Sequence, residues 1–193
     1  MTNYERVVKF LQDSNVPCAI IGGAVRDRLH DLTLDARDYD IVVHSEYSQE
    51  LRNAVVNAGG VIRQEYLTYP TATTSHFKQY YDKLYTATLY DLALDILVLD
   101  DDKYKLHMGE PQYNSARDAI IDGHFRHVVE SHDNTINQCY HTINVGPTFP
   151  LYLAKARDYH GIAKQCAPVT LEREARIKEV AARLGWAYVP IER

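Results

Sequence analysis

Asp38 and Asp40 flank a tyrosine at the mouth of an apolar run, a short polar connection after the glycine pair Gly22-Gly23. Side chains two apart on a strand project from one face. This spacing therefore sets two carboxylates side by side near a strand end, where they repel unless a cation lies between them. A doubly negative, oxygen-only pocket suits Mg²⁺, which also takes triphosphate oxygens into its shell. The glycines supply the other half. Without a Cβ the backbone can approach a phosphate closely, and a helix starting there turns its first N–H groups toward negative charge. The stretch AIIGGAVRDRLHDLTLDARDYDIVV, Ala19 to Val43, thus reads as strand, phosphate-gripping turn, helix and metal-binding strand. Such a unit would present a metal–triphosphate to an attacking hydroxyl. Taken singly, the glycines also suit a tight turn and the aspartates a solvated strand end; their joint occurrence is the specific feature.

Other residues join this set. Asp95 lies inside LALDILVL, Leu92 to Leu99, between Leu94 and Ile96. An unpaired charge there is expensive, so an arginine or a metal is expected beside it. Asp91, nearer the strand start, is its competitor. Arg26 is placed to pair within the glycine unit or to touch phosphate. His124, His127, His132 and His141 form no zinc signature, since the chain has neither a CxxC nor an HExxH spacing. GHFRH reads instead as a surface or substrate-facing strand or loop.

The elements that must hold these residues follow from periodicity. Val7, Val8, Phe10 and Leu11 make one face of a helix. A buried strand is expected over Cys18 to Ile21, a helix over Ala24 to His30, and a second strand over Asp40 to Val43. Ser45 suits the cap of a helix over Glu46 to Ala58, ended by Gly59 and Gly60. Val61 to Tyr66 reads as a third strand, the Tyr- and Thr-rich stretch from Thr71 to Leu89 as strands and hairpins, and Leu92 to Leu99 as a strong strand. The segment from Ser115 to Ile143 carries no clear period. FPLYLAKARDYHGIAK and TLEREARIKEVAARLGW both read as helices, separated by Pro168.

Composition bounds the class. A chain of 193 residues, 46% hydrophobic and 24% charged, can bury a real core. A net charge of −5 disfavours a broad basic surface but not a local positive groove. No apolar run is long enough to span a membrane, and charges interrupt MTNYERVVKF before any leader-like stretch develops. Three widely spaced cysteines read as free thiols, so a cytoplasmic protein is expected.

GGAVRD, Gly22 to Asp27, followed by RDYDIVV, Arg37 to Val43, resembles the head domain of the class II CCA-adding enzymes and bacterial poly(A) polymerases, in the polymerase-β-like nucleotidyltransferase superfamily. That family has Gly-Gly-x-Val-Arg-Asp, a leucine-rich turn, then Lys-Asp-x-Asp-Ile; Arg37 stands where the family has lysine. The likeness is strong over residues 19–43 and weaker to about residue 122. It implies that Gly22 and Gly23 hold the triphosphate, with Arg26 and Asp27 in the nucleotide-binding turn. It also implies that Asp38 and Asp40 bind two Mg²⁺ ions, with Asp95 as the third carboxylate.

Further motifs are partial. SARDAIID resembles the family's Arg-Arg-Asp-Phe-Thr-Ile-Asn, which helps select the ribose. Arg117 and Asp118 match, and Ala116 and Asp122 depart, so a capped helix start with an ion pair is the other reading. EREAR, Glu172 to Arg176, resembles Glu-Asp-x-x-Arg, which templates the base. Arg173 replaces the aspartate, so no choice of base follows, and a Glu172–Arg176 salt bridge is expected instead. LAKARDYHG resembles the neck-helix arginine motif.

The expectation is an α+β (α/β) chain: a nucleotidyltransferase-type mixed sheet with flanking helices over residues 1–145, and a short C-terminal helical appendix over residues 146–193. The resemblance implies a two-metal-ion enzyme moving an NMP from an NTP (ATP or CTP) to a hydroxyl, with an RNA or tRNA 3′ end as acceptor and pyrophosphate released. A protein or small-molecule acceptor, or a non-catalytic nucleotide- or RNA-binding relic, are the alternatives.

Overall fold

A computed structural model describes residues 1–30, 36, 38–66, 81–99, 124–126, 128–145, 152–153 and 161–191. Helix α1, Asn3–Ser14, starts at a capping box in which Thr2 and Glu5 satisfy each other's backbone N–H groups, and it ends at Asn15 in the left-handed conformation. It buries Val7, Phe10 and Leu11, the stripe that its period requires. Strand β1, Cys18–Ile21, is buried at every residue. It runs into the seven-residue helix α2, Gly23–Leu29, which Gly22 caps. Strand β2, Asp38–His44, leads through a 3-10 turn at Ser45–Tyr47 into helix α3, Ser48–Asn57. Ser45 therefore opens the 3-10 turn and does not cap α3.

Strand β3, Val61–Tyr66, pairs antiparallel with β4, Tyr81–Leu89, and β4 pairs antiparallel with β5, Leu92–Leu99. Tyr90 and Asp91 make the two-residue β4–β5 turn with φ of 54° and 64°. Both left-handed angles are what a tight hairpin of this hand needs. With β6, Cys139–Ile143, and β7, Tyr152–Leu153, the sheet has seven strands among the described residues, in the order β3-β4-β5-β2-β1-β6-β7. Its central pair, β2 with β5, is parallel and the other pairs are antiparallel, so the sheet is mixed as expected.

The sheet separates two cores. On one face, Tyr39, Ile41, Val43, Leu94 and Ile96 pack against α1, α2 and α3. On the other, Ala19, Ile21, Val42, Leu97 and Leu99 pack against Phe125, Val128 and Val129. Residues 124–126 and 128–130 are helical and His124 is buried, which corrects the reading of GHFRH as surface strand or loop. A hydrogen-bonded stack of His124 on His44 belongs to this layer.

The C-terminal part departs from two successive helices. Tyr152–Leu153 and Ile162–Lys164 (β8) are strands inside the first expected helix. The second is present as α4, Leu171–Arg183, capped by Thr170. Strand β9, Ala187–Val189, returns from α4 to pair in parallel with β8. Ala163, Ile177 and Ala181 form a third small core with Ile136, flanked by Val180, Leu184, Trp186 and Tyr188. Among the described residues no helix is long and apolar enough to cross a membrane.

Candidate active site

The parallel pairing of β2 with β5 sets Asp40 directly opposite Asp95, and Asp38 opposite Ala93. Equivalent residues of parallel strands face the same way, so Asp38, Asp40 and Asp95 share the face that carries Val42, Leu97 and Leu99. The apolar cover of that face stops short of the strand ends, and the carboxylates begin there. Asp38 is exposed, while Asp40 and Asp95 are half-buried. Burial raises the Asp40 carboxyl pKa to about 7, helped by the charges of Asp95 and Asp38 and opposed by Arg173 and Arg176. Asp95 is raised as well, by burial and then by Asp38. In both, burial is the larger cause and the neighbouring carboxylate charge adds to it. Asp91, held in the hairpin turn, is not part of this row.

Gly22 adjoins the row. Its φ of 71° suits glycine, and a Cβ there would lie 3.6 Å from Asp40 Oδ2 and 3.9 Å from His132 Nε2. Its N–H donates to the Cys139 carbonyl (2.9 Å), which ties the turn to β6. Gly23 has ordinary backbone angles; a Cβ there would meet the Arg26 guanidinium at 3.4 Å. Arg26 pairs with the buried Asp27 (2.6 Å) and donates from Nη1 to Asn137 Oδ1 (2.7 Å). Of the two roles open to Arg26, this geometry is the internal pair. Arg117 and Asp118, together with Arg37, His127 and residues 154–160 of LAKARDYHG, lie outside the described residues.

One wall of the site was missed in the sequence. Ser131 to Asn137 reads SHDNTIN, which fits Arg-Arg-Asp-Phe-Thr-Ile-Asn at Asp133, Thr135, Ile136 and Asn137. SARDAIID offers fewer matches to that pattern. Ser131, His132 and Asn134 stand where that pattern has its two arginines and its phenylalanine, which obscures the match. The buried His132 donates from Nδ1 to the Val129 carbonyl (2.9 Å), which turns Nε2 toward the Gly22 turn. Burial holds its pKa below the ordinary value. Asp133 accepts a two-pronged pair from Arg173, at 3.0 Å from Nε and 3.3 Å from Nη2. The expected Glu172–Arg176 bridge is not among those formed by the described residues; Glu174–Lys178 and Glu179–Arg183 are the pairs along α4.

The remaining candidates are structural. His141 is hydrogen-bonded to the Tyr4 hydroxyl (2.9 Å). Cys18, Cys139 and Cys166 are free thiols, as expected, and burial pushes Cys18 and Cys139 up to about 12. Among the described residues no three His, Cys, Asp or Glu side chains are gathered into a metal cage. Asp38, Asp40 and Asp95 nonetheless offer only oxygen donors, the chemistry that a hard divalent cation takes, and burial with the neighbouring charges of Asp95 and Asp38 raises Asp40 to about 7.

No family model and no curated protein matches the chain. Solved structures do. A tRNA-processing enzyme complex is 17% identical over 94% of this chain and 42% of its own, with a TM-score of 0.55. A tRNA nucleotidyltransferase complexed with a primer tRNA and an incoming ATP analog is 19% identical over 96% of this chain and 46% of its own, with a TM-score of 0.54. The Thermotoga maritima CCA-adding enzyme complexed with tRNA is 19% identical over 98% of this chain and 38% of its own, with a TM-score of 0.52. This chain spans less than half the length of each of them. At these identities the likeness is one of fold: the chain is built like the nucleotidyltransferase head of the CCA-adding enzymes.

Proposed function

We propose that the chain is a Mg²⁺-dependent nucleotidyltransferase that moves an NMP from ATP or CTP to a hydroxyl and releases pyrophosphate. The observation that carries this reading is the β2–β5 register, which sets Asp40 against Asp95 with Asp38 on the same face, beside a glycine turn. Asp38, Asp40 and Asp95 would hold two Mg²⁺ ions, which when bound lower the pKa of the attacking hydroxyl and neutralise charge on the leaving group. The Gly22 turn admits the triphosphate next to Asp40, because no side chain occupies that space. The Arg26–Asp27 pair and Asn137 keep the turn in place. Catalysis is then positioning and electrostatics, with the chain's carboxylates prearranged.

The fold relatives include enzymes described in complex with tRNA, and this supports an RNA 3′ end as acceptor. The head would occupy residues 1–145 and an appendix residues 146–193, with β7 of the latter adding an edge strand to the head's sheet. Three free cysteines suit a reducing, cytoplasmic setting.

The test is pyrophosphate release from each NTP with Mg²⁺, using labelled NTP and total RNA, then total protein, as acceptors. Asp95→Ala should lower turnover far more than nucleotide affinity, since its task is at the hydroxyl. Nucleotide binding with no transfer to either fraction would instead identify a binding module.

A further inference from the structure

α4 is fastened to the wall of the candidate site. Besides the two bonds from Arg173 to its carboxylate, Asp133 accepts at its carbonyl from the Cys166 N–H (2.7 Å) and the Ala167 N–H (3.3 Å). Its neighbours are held by the same unit: the Thr135 hydroxyl donates to the Ile162 carbonyl (3.2 Å) and accepts from the Lys164 N–H (2.9 Å). On the far side of the unit, Trp186 meets His30 at the end of α2 edge to face, with ring centroids 5.2 Å apart. The strand–helix–strand unit thus grips the 132–137 wall and the glycine-turn helix at once. The ion pair is a charged, two-pronged contact in this grip, with Asp133 largely shielded from solvent. A guanidinium fork holding a carboxylate fixes orientation as well as distance. Asp133 in turn adjoins His132, whose Nε2 faces the Gly22 turn beside Asp40.

We propose that Arg173 is a positioning residue for the nucleotide site, fixing the His132–Asn137 wall against the Gly22 turn through its pair with Asp133. The proposal rests on the nucleotidyltransferase reading. It gives Arg173 a different task from reading a base, since its Nε and Nη2 donate to Asp133.

The test measures Mg·ATP and Mg·CTP binding, KM and kcat, and melting temperature in the full chain. The variants are Arg173→Ala, Arg173→Lys and the exchanged pair Asp133→Arg/Arg173→Asp. Arg173→Ala should raise KM by about tenfold, the pattern of lost uniform binding, with a much smaller change in kcat. Arg173→Lys, which keeps the charge but loses the fork, should fall between. The exchanged pair should recover both melting temperature and nucleotide affinity. Recovery of melting temperature without affinity would overturn the proposal in favour of direct contact between Arg173 and the nucleotide. Wild-type KM in Arg173→Ala would also overturn it, while leaving the nucleotidyltransferase reading standing. A wild-type chain that neither binds nor transfers any NTP would overturn both.

Discussion

At the residue scale the decisive quantity is charge. Asp40 sits where burial and two neighbouring carboxylates favour its neutral form, so its pKa rises to about 7. An aspartate in the unfolded chain ionises near pH 4, about its ordinary value. Between those values the folded state holds a proton that the unfolded state has released. The associated stability is complete below about pH 4 and is lost as pH rises through about 7. Asp40→Asn removes this dependence. Without Mg²⁺ the variant should melt higher than wild type at pH 8 and closer to it at pH 5, while losing transfer altogether. Thermal unfolding at the two pH values, with a pyrophosphate assay, checks both halves. Mg²⁺ should raise the wild-type melting temperature more at pH 8 than at pH 5, because protons and the cation compete for Asp40.

At the element scale, two glycines are required for different reasons. Gly22 has room for a methyl group, with its nearest neighbour 3.6 Å away, but its φ is 71° with ψ at −135°. Gly22→Ala should therefore cost about 1–3 kcal/mol through backbone strain and weaken NTP binding. Gly60 shows the reverse: a Cβ there would lie 2.8 Å from the Thr88 carbonyl and 2.9 Å from that of Val55. Gly60→Ala should lower stability by about 1–3 kcal/mol through overpacking, with nucleotide affinity unchanged in the folded protein. Denaturant titrations paired with nucleotide-binding isotherms separate the two effects. Both glycine pairs were visible in the sequence as turn signals. Which glycine was needed for its φ and which for its space depended on contacts from other strands.

At the scale of the whole molecule, the C-terminal unit has its own core. Ile177 and Ala181 pack on Ala163 and on Ile136 from the site wall. Ile177→Ala should destabilise this unit by about 2–5 kcal/mol, the range for emptying a buried aliphatic site. Hydrogen exchange should then rise over residues 161–191 first, while β1, β2 and β5 keep their protection. Simultaneous loss of protection in both regions would show that the two parts unfold as one.

Local signals were enough to find the elements that carry the chemistry. Alternation and apolar runs determined β1, β2, β3 and β5, and helical spacing determined α1 and α4, since each is set by the side chains of its own segment. The i, i+2 spacing determined that Asp38 and Asp40 share a face. The tertiary structure decided what depends on residues far apart in the chain. The parallel register sets Asp40 against Asp95 and leaves Asp91 in a turn, and no single strand encodes that pairing. The helix expected before Pro168 contains β8 instead, because β9 returns from beyond α4 to pair with it. His132 and Asp133 reached the site from a segment without clear periodicity. Their place there is beside Gly22 on one side and against Arg173 on the other, and both neighbours arise only once the chain has closed on itself.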